Sequence, residues 1–428
     1  MHPLIRIPYL AAGSITRAAV AISPRRSSKI LRALSARRGV LERYEAWAAA
    51  HRDPDRPLFW FHAPSVGEGL QALPVIDRIR GRIGGAQIAY TFFSPSAERF
   101  ASRLGADFTD FLPFDTKGNA ARCLDALRPA VLVFSKLDVW PMLTEAASER
   151  GTKVALMSGT VPEGSGRRSG IAGLALRDAY RSLDAVGAVS KEDAARLIEM
   201  GVAPERIEVS GDTRYDQVWS RATNPTAEGI AVADRFRDSR PTLVAGSTWP
   251  SDEQHLLPAW IQLKRTIPAA RLIIAPHELS DTHLDSIVDW AARSSLTLSR
   301  TSEPTPRATE VVLVDQYGIL GDLYAVADAA FVGGGFQDAG LHSLLEPAAY
   351  GAPVLIGPRH TDNRDAGLLV ASGAAARCSG AGDITARLSA WFATPHMRER
   401  ASVAAKTVVQ SELGASDRSS EMIESLLR

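Results

Sequence analysis

Short apolar runs alternate with longer amphipathic stretches along the first half of the chain. The runs at 58–63, 87–93, 108–112, 130–135, 153–158, 185–189 and 207–210 are strand candidates, and helix-like stretches such as 68–81, 116–127 and 191–200 lie between most of them. This alternation predicts βαβ units and a mainly parallel sheet. Residues 221–240, RATNPTAEGIAVADRFRDSR, lack a buried strand and contain Pro and Gly, so a link between domains falls there. The pattern then restarts, with strands near 242–246, 271–275, 311–314, 329–333 and 353–356, and the last stretch, 395–428, reads as helix. The predicted architecture is α/β, with two doubly wound, Rossmann-like domains and a cleft between them. The expected divisions are an arm over 1–52, a first domain over 53–222, a linker over 223–240, a second domain over 241–394 and a closing helix over 395–428.

A chain of 428 residues, 45% hydrophobic and 23% charged, has ordinary globular composition and is too long for one typical domain. A net charge of +1 gives no reason to expect a nucleic-acid partner. The distribution of charge says more. Residues 1–52 hold Arg6, Arg17, Arg25, Arg26, Lys29, Arg32, Arg37, Arg38, Arg43 and Arg52 against only Glu42 and Glu45. The run IPYLAAGSITRAAVAI at 7–22 is too short and too polar to span a bilayer. An apolar run followed by basic residues suits a segment lying on an anionic membrane surface; a solvated helix packed on the domain is the other reading. Cys123 and Cys378 stand far apart and support neither a disulfide framework nor a metal site, which fits a reducing compartment.

Candidate chemistry sits where apolar runs end. In LFWFHAPSVGEGLQALPV (58–75) a small-residue loop precedes Glu68. Ser65 and Glu68 have the spacing of a capping box. Alternatively, Glu68 is a general base, with Gly67 leaving room for an acceptor to approach. TLVAGSTWPSDE (242–253) reads as a strand and a helix start, with Thr248 as cap and Asp252 and Glu253 suiting the dipole. It also reads as a phosphate site at Gly246, Ser247 and Thr248. In FVGGGFQDAGLHSLLEP (331–347), Gly333, Gly334 and Gly335 follow a strand without forming a dinucleotide fingerprint or a Walker motif. Ser343 and Glu346 repeat the capping-box spacing, yet a carboxylate there could also hold a ribose diol. His277 after RLIIAP, Lys136 and Asp138 in SKLDVWP, and Arg214 in GDTRYD each follow a strand candidate, with structural roles or surface ion pairs as the plainer reading.

Taken together and in order, WFHAPSVGEG, TFFSPSAERF, LPFDT, SKLDVWP, GDTRYD, AGSTWPSDE, IIAPHE, VDQYGILGDLYAVADAAFVGGGF and GLHSLLEPAAYGAPVLIGP resemble the Kdo transferases. These enzymes attach 3-deoxy-D-manno-octulosonic acid to the lipid A precursor of lipopolysaccharide. The resemblance implies the two-domain glycosyltransferase fold of GT-B type, with facing domains and a last helix that returns to the first. It implies inverting transfer from CMP-Kdo, without a cofactor or a bound catalytic metal, at the cytoplasmic face of an inner membrane that the N-terminal arm contacts.

Carried onto this sequence, the resemblance implies Glu68 as general base, with Asp138 also catalytic. Ser65, Gly67, Ser94 and Lys136 would meet the acceptor. Arg214, Gly246, Ser247, Thr248, His277, Gly334, Gly335, His342, Ser343 and Glu346 would meet the donor. Asp138 stands where many members have Glu, Ser343 where many have Asn, and Pro276-His277-Glu278 lacks the family's Arg; the first helix is also less apolar. A nucleotide-sugar epimerase of the same fold, and a silent paralogue that binds lipid or nucleotide, are the competing readings.

Overall fold

The computed structural model describes residues 34–168, 170–303, 309–338, 340–361 and 363–428. By its internal contacts the chain divides into two units, one running to Gln217 and including Leu413–Arg428, the other Val218–Glu412. The first unit holds β1 (Leu58–His62), β2 (Gln87–Phe92), β3 (Phe108–Phe111), β4 (Val131–Ser135), β5 (Lys153–Gly159), β6 (Ala185–Ala188) and β7 (Ile207–Val209) in the order β3-β2-β1-β4-β5-β6-β7. The second holds β8 (Thr242–Thr248), β9 (Arg271–Pro276), β10 (Leu298–Arg300), β11 (Val311–Leu313), β12 (Ala329–Val332), β13 (Val354–Ile356) and β14 (Ala375–Arg377) in the order β10-β11-β9-β8-β12-β13-β14. Neighbouring strands pair in parallel, as β1 does with β2 and β4, and β8 with β9 and β12. Every residue of β1 is buried, as a central parallel strand covered on both faces requires.

This strand order fixes where ligands have room. In the first sheet the chain builds outward from β1 to β2 and β3, then crosses back to β4. In the second it builds from β8 through β9 toward β10 and β11, then crosses back to β12. The loops leaving β1 and β4, and those leaving β8 and β12, therefore diverge, and each sheet opens a crevice at that switch point.

One open reading is decided and three sequence expectations change. Residues 34–52, expected within a membrane-contacting arm or a helix packed on the domain, follow the second of these readings. The Val40–His51 helix packs into the first core, where fully buried Tyr44 sits edge-on to Phe108 (4.7 Å between ring centres) and Trp60 (6.1 Å). Arg37 is buried, donates to the carbonyls of Leu112 and Phe93, and lies 4.0 Å over the Phe93 ring; burial lowers its pKa to about 10. Arg43 clamps Asp110, and Arg52 donates to the Leu127 and Arg128 carbonyls. Three of the arm's positive charges thus hold the domain together; residues 1–33 lie outside the described residues.

The three changes concern the linker, the C-terminus and the sheet edges. The segment 223–240 contains the Ala227–Asp234 helix, started by Thr226, whose hydroxyl accepts from the Gly229 amide. The stretch 395–428 is two helices, Pro395–Ser411 and Ala415–Ser425, broken at left-handed Gly414 (φ 89°). Only the second belongs to the first unit, where it packs on the Val66–Arg82 helix and Arg78 grips Asp417. The sequence pattern also misses β10 and β14, which are edge strands of three residues each.

Candidate functional site

Glu68 occupies the first turn of the Val66–Arg82 helix, just after β1, and Lys136 follows β4 directly. The switch point brings them together: Lys136 Nζ lies 3.5 Å from Glu68 Oε1. Ser65 Oγ donates to the other oxygen, Oε2. Ser65 is the N-cap residue, yet its side chain accepts no capping hydrogen bond, so the capping-box expectation is not met. Its hydroxyl serves the carboxylate instead. Lys136 adopts a left-handed backbone (φ 65°), a conformation a lysine pays for in strain, and its amide donates to the Met157 carbonyl. Gly67 faces open space; only Ser65 Oγ, at 3.8 Å, would meet a Cβ there. Gly69 is the glycine that packing demands, since its Cβ would fall 2.4 Å from Phe100 and 2.5 Å from the Tyr90 hydroxyl.

The surrounding loops are tied to one another. The Pro64 carbonyl accepts from the amides of Phe93 and Ser94, joining the loops after β1 and β2. Ser94 caps the short turn at Pro95–Ala97 and pairs with Ser96 Oγ at 2.8 Å. Asp138 pairs with Arg167 at 3.1 Å rather than with Lys136 or Glu68. Asp115, from the LPFDT block, accepts from the amides of Met142 and Leu143 and so anchors the helix that follows SKLDVWP. Among the described residues, four buried polar atoms on these strands and loops have no hydrogen-bond partner: His62 Nε2, the Tyr90 hydroxyl, Ser135 Oγ and Trp140 Nε1. Burial, and then the charge of Glu68, push the Tyr90 phenol up. Tyr90 carries no signal in the sequence, where it reads as one more apolar strand residue.

In the second unit Asp252 organises the crevice. It is fully buried, and its Oδ2 accepts from the amides of Trp249 (3.0 Å) and Gly334 (2.8 Å), its Oδ1 from Phe336 (3.2 Å). One carboxylate therefore stitches the start of the Pro250–Thr266 helix to the glycine loop after β12. The N-cap is Trp249, not Thr248. The buried Thr248 hydroxyl donates to Glu253, which also meets His283 Nε2 at 3.0 Å, so Thr248 supports the site from beneath. The glycines are required by contact. A Cβ on Gly333 would lie 2.1 Å from the Ser247 carbonyl oxygen, on Gly335 2.5 Å from the Gly357 nitrogen, and on Gly246 2.1 Å from the Tyr324 hydroxyl. Gly334 is left-handed (φ 94°), as is Ser247 (φ 53°).

Three rings cluster at the ends of β8, β9 and β12. His277 stacks on Trp249 (4.6 Å) and on His342 (4.3 Å). Trp249 Nε1 donates to His342 Nε2 at 3.0 Å. An indole nitrogen can only donate, so His342 Nε2 carries a lone pair and the ring is neutral. Burial, and then His277, lower the His342 pKa to about 4; burial lowers that of His62 to about 3. Unfolding returns both rings to about 6.5, so between these values the unfolded chain binds more protons than the folded one. Their contribution to stability is complete above pH ~6.5 and is lost as pH falls toward 4 and 3. The urea midpoint should accordingly be lower at pH 5 than at pH 7.5. A midpoint that holds or rises at pH 5, with no flattening in a His62→Phe variant, would mean that these rings are already charged in the fold.

Glu346 opens the short Leu345–Tyr350 helix, whose N-cap is Leu344 rather than Ser343. Its carboxylate lies 3.8 Å from Arg221, which also grips Asp322 through two hydrogen bonds of 3.0 and 2.9 Å. Burial raises the Glu346 pKa, Arg221 opposes that rise, and Asp322 adds to it. Arg221 carried no signal in the sequence, since its partners lie more than 100 residues away. Ser343 is exposed. Arg214, expected at the donor, belongs by its contacts to the first unit. There it pairs with buried Asp212, whose carboxyl burial would push up; Arg214 and its amide outweigh that and hold it low. Among the described residues no group of His, Cys, Asp or Glu is arranged to hold a metal ion.

A family model described as 3-deoxy-D-manno-octulosonic-acid transferase (kdotransferase) matches residues 32–217. The 3-deoxy-D-manno-octulosonic acid transferase of Bordetella pertussis is 29% identical over 381 residues, covering 86% of this chain and 87% of that protein. The enzyme of the same name from Chlamydophila psittaci is 29% identical over 350 residues, covering 81% and 79%. In fold, the chain is similar to UDP-GlcNAc 2-epimerase from Neisseria meningitidis (TM-score 0.61, 13% identity, 87% and 99% covered) and to a glycosyltransferase from Rickettsia africae (TM-score 0.56, 13% identity, 87% and 99% covered). Two parallel α/β units of GT-B-like fold, and sequence similarity along most of the chain, make this protein similar to the 3-deoxy-D-manno-octulosonic acid transferases.

Proposed function

We propose that the protein transfers Kdo from CMP-Kdo to a hydroxyl of a lipid A precursor, by inverting single displacement with Glu68 as general base. The observation that carries this reading is the pairing of Glu68 with Lys136 across the β1/β4 switch point. A sugar hydroxyl is a poor nucleophile at neutral pH. Its oxygen attacks the anomeric carbon while its proton passes to Glu68, and the bond to CMP breaks with both electrons leaving on the phosphate. A carboxylate has about four acceptor positions, and Ser65 and Lys136 engage only one oxygen each, so a lone pair remains for the acceptor. CMP departs as a stable anion and needs no proton. Lys136 suits an acidic group of the sugar or of the lipid. Asp138 acts by fixing this loop through Arg167.

A lipid acceptor is supported by the Gly170–Arg181 helix. Ile171 and Leu174 are exposed on it (75% and 45%), and Tyr180 on the same helix donates to the Leu137 carbonyl, beside Lys136. No described helix is long and apolar enough to cross a membrane. Surface contact through the basic residues of 1–33 fits this reading, at the cytoplasmic face of an inner membrane. Incubation with CMP-Kdo and a tetra-acylated lipid A precursor should yield a product heavier by one or more Kdo residues. Absence of that product, with turnover of a UDP-sugar in its place, would favour the epimerase reading that the fold alone also allows.

For the donor, Glu346 is proposed to accept both ribose hydroxyls, beside the ring cluster of Trp249, His277 and His342. Losing a charge-assisted hydrogen bond costs about 1.5–3 kcal/mol, so Glu346→Ala should weaken CMP binding by roughly ten-fold or more. Calorimetry reads this directly. Unchanged CMP affinity would remove Glu346 from the pocket, and tighter binding of UDP than of CMP would reassign the donor.

A further inference from the structure

A cleft of about 490 Å³ lies in the second unit, away from the β8/β12 crevice, between edge strand β14 and the helices Ala381–Ala393 and Pro395–Ser411. Arg377, Arg387 and Arg400 line it, one from each of these elements, and no Asp or Glu does so among the described residues. Arginines elsewhere are mostly engaged: Arg43 with Asp110, Arg78 with Asp417, Arg221 with Asp322, Arg364 with Glu412. The side chains of Arg377, Arg387 and Arg400 are exposed and make no ion pair or hydrogen bond among the described residues. Three guanidinium groups around one hollow repel each other, and a shared anion relieves that repulsion. Guanidinium forks match the oxygens of phosphate in geometry.

The rest of the lining separates a lipid from a free anion. Trp391 forms an apolar floor with 3% of its surface exposed, and Met397 stands at the rim, 38% exposed. On the Pro395–Ser411 helix, Met397 and Arg400, and then Arg400 and Val403, are neighbours three residues apart, while Ala401, Ala405 and Val409 are buried. Val403 is 59% exposed. Exposed apolar side chains on both sides of a basic one suit a surface lying at the headgroup level of a bilayer, with apolar groups reaching inward and the guanidinium meeting phosphate. We propose that this arginine-lined cleft binds the phosphate headgroups of anionic phospholipids and so gives the second unit its own contact with a membrane surface.

The test reads each arginine separately, because residues 1–33 would also draw the full chain to vesicles. The intact protein is labelled with phenylglyoxal at low salt, alone, with phosphatidylglycerol vesicles or with phosphatidylcholine vesicles, and the modified peptides are quantified by mass spectrometry. Labelling of Arg377, Arg387 and Arg400 should fall several-fold with phosphatidylglycerol only, while exposed Arg293 on another helix serves as the reference. A fall equal in both vesicle types, or none, overturns the proposal. Protection by inorganic phosphate at matched phosphate concentration, as strong as that by the vesicles, overturns the lipid assignment in favour of a soluble anion. As a second arm, Arg377→Glu, Arg387→Glu and Arg400→Glu together should weaken partition onto phosphatidylglycerol vesicles about 100-fold or more, since each basic group near such a surface is worth on the order of 1 kcal/mol, a factor of about five, and three are lost. A triple variant that keeps its circular dichroism and still partitions like the parent also sinks the proposal.

Discussion

Glu68→Gln should lower the turnover of Kdo transfer by about two to four orders of magnitude, the range that general-base catalysis typically supplies. The substitution keeps the side chain's length and its ability to accept from Ser65, but it removes the carboxylate proposed to take the acceptor's proton. Stability should change little. Lys136 loses its counter-charge, yet its side chain is 45% exposed, and an ion pair this accessible to water contributes about 0–1 kcal/mol. CMP affinity should hold, because the groups proposed for the donor, Trp249, His277, His342 and Glu346, all belong to the other unit. The informative pattern is therefore a collapse in kcat with an intact melting curve and intact CMP binding. Near-normal turnover in Glu68→Gln would exclude proton transfer to this carboxylate and leave it the role of orienting Lys136 and Ser65. Lys136→Met is a useful companion, since it removes the charge and leaves the base in place.

The pairing of Glu68 with Lys136 shows what a linear pattern conveys. Both residues stand just after apolar runs, and that much is local information. Their approach to within 3.5 Å is decided by strand order, with β1 and β4 adjacent although β2 and β3 intervene in the chain. Hydrophobic periodicity gave the central strands because parallel strands buried on both faces read as unbroken apolar runs. It missed β10 and β14 because an edge strand of three residues such as Leu298–Arg300 is mixed in polarity and too short to show a period. It also leaves two readings open for residues 34–52. A count of basic residues cannot tell Arg37, buried against Phe93 and two carbonyls, from an arginine facing a membrane.

The same limit hid Tyr90 and Arg221. Neither belongs to a motif, and each is set by partners distant in sequence: Arg221 by Asp322 and Glu346, Tyr90 by the space that Gly69 leaves for its hydroxyl. Glycine positions were legible as a loop signal, but the reason for each was not. Gly335 is needed because Gly357 of the neighbouring strand's loop passes against it, an approach that no spacing rule within FVGGGF contains.

Asp252→Ala should unfold or loosen the second unit, at a cost of about 3 kcal/mol or more. In sequence Asp252 is one of two acids in a helix's first turn, where a surface carboxylate is worth about 0.3–1 kcal/mol. In the fold it is fully buried and accepts three backbone amides, those of Trp249, Gly334 and Phe336. Alanine leaves these donors without a partner in a place that water reaches poorly, and each buried unsatisfied amide costs about 1–3 kcal/mol. Two of the three belong to the loop that Gly333, Gly334 and Gly335 bring against Ser247 and Gly357, so the loop should lose its geometry before the sheet does. Asp252→Asn tests the mechanism more finely. It keeps the volume and one good acceptor, but turns an NH₂ group toward an amide N–H. It should recover part of the stability and little of the CMP affinity. Full stability in Asp252→Ala, measured by urea unfolding with a probe in the second unit, would show that water or a neighbouring group replaces the carboxylate and that the loop's shape rests on its glycines alone.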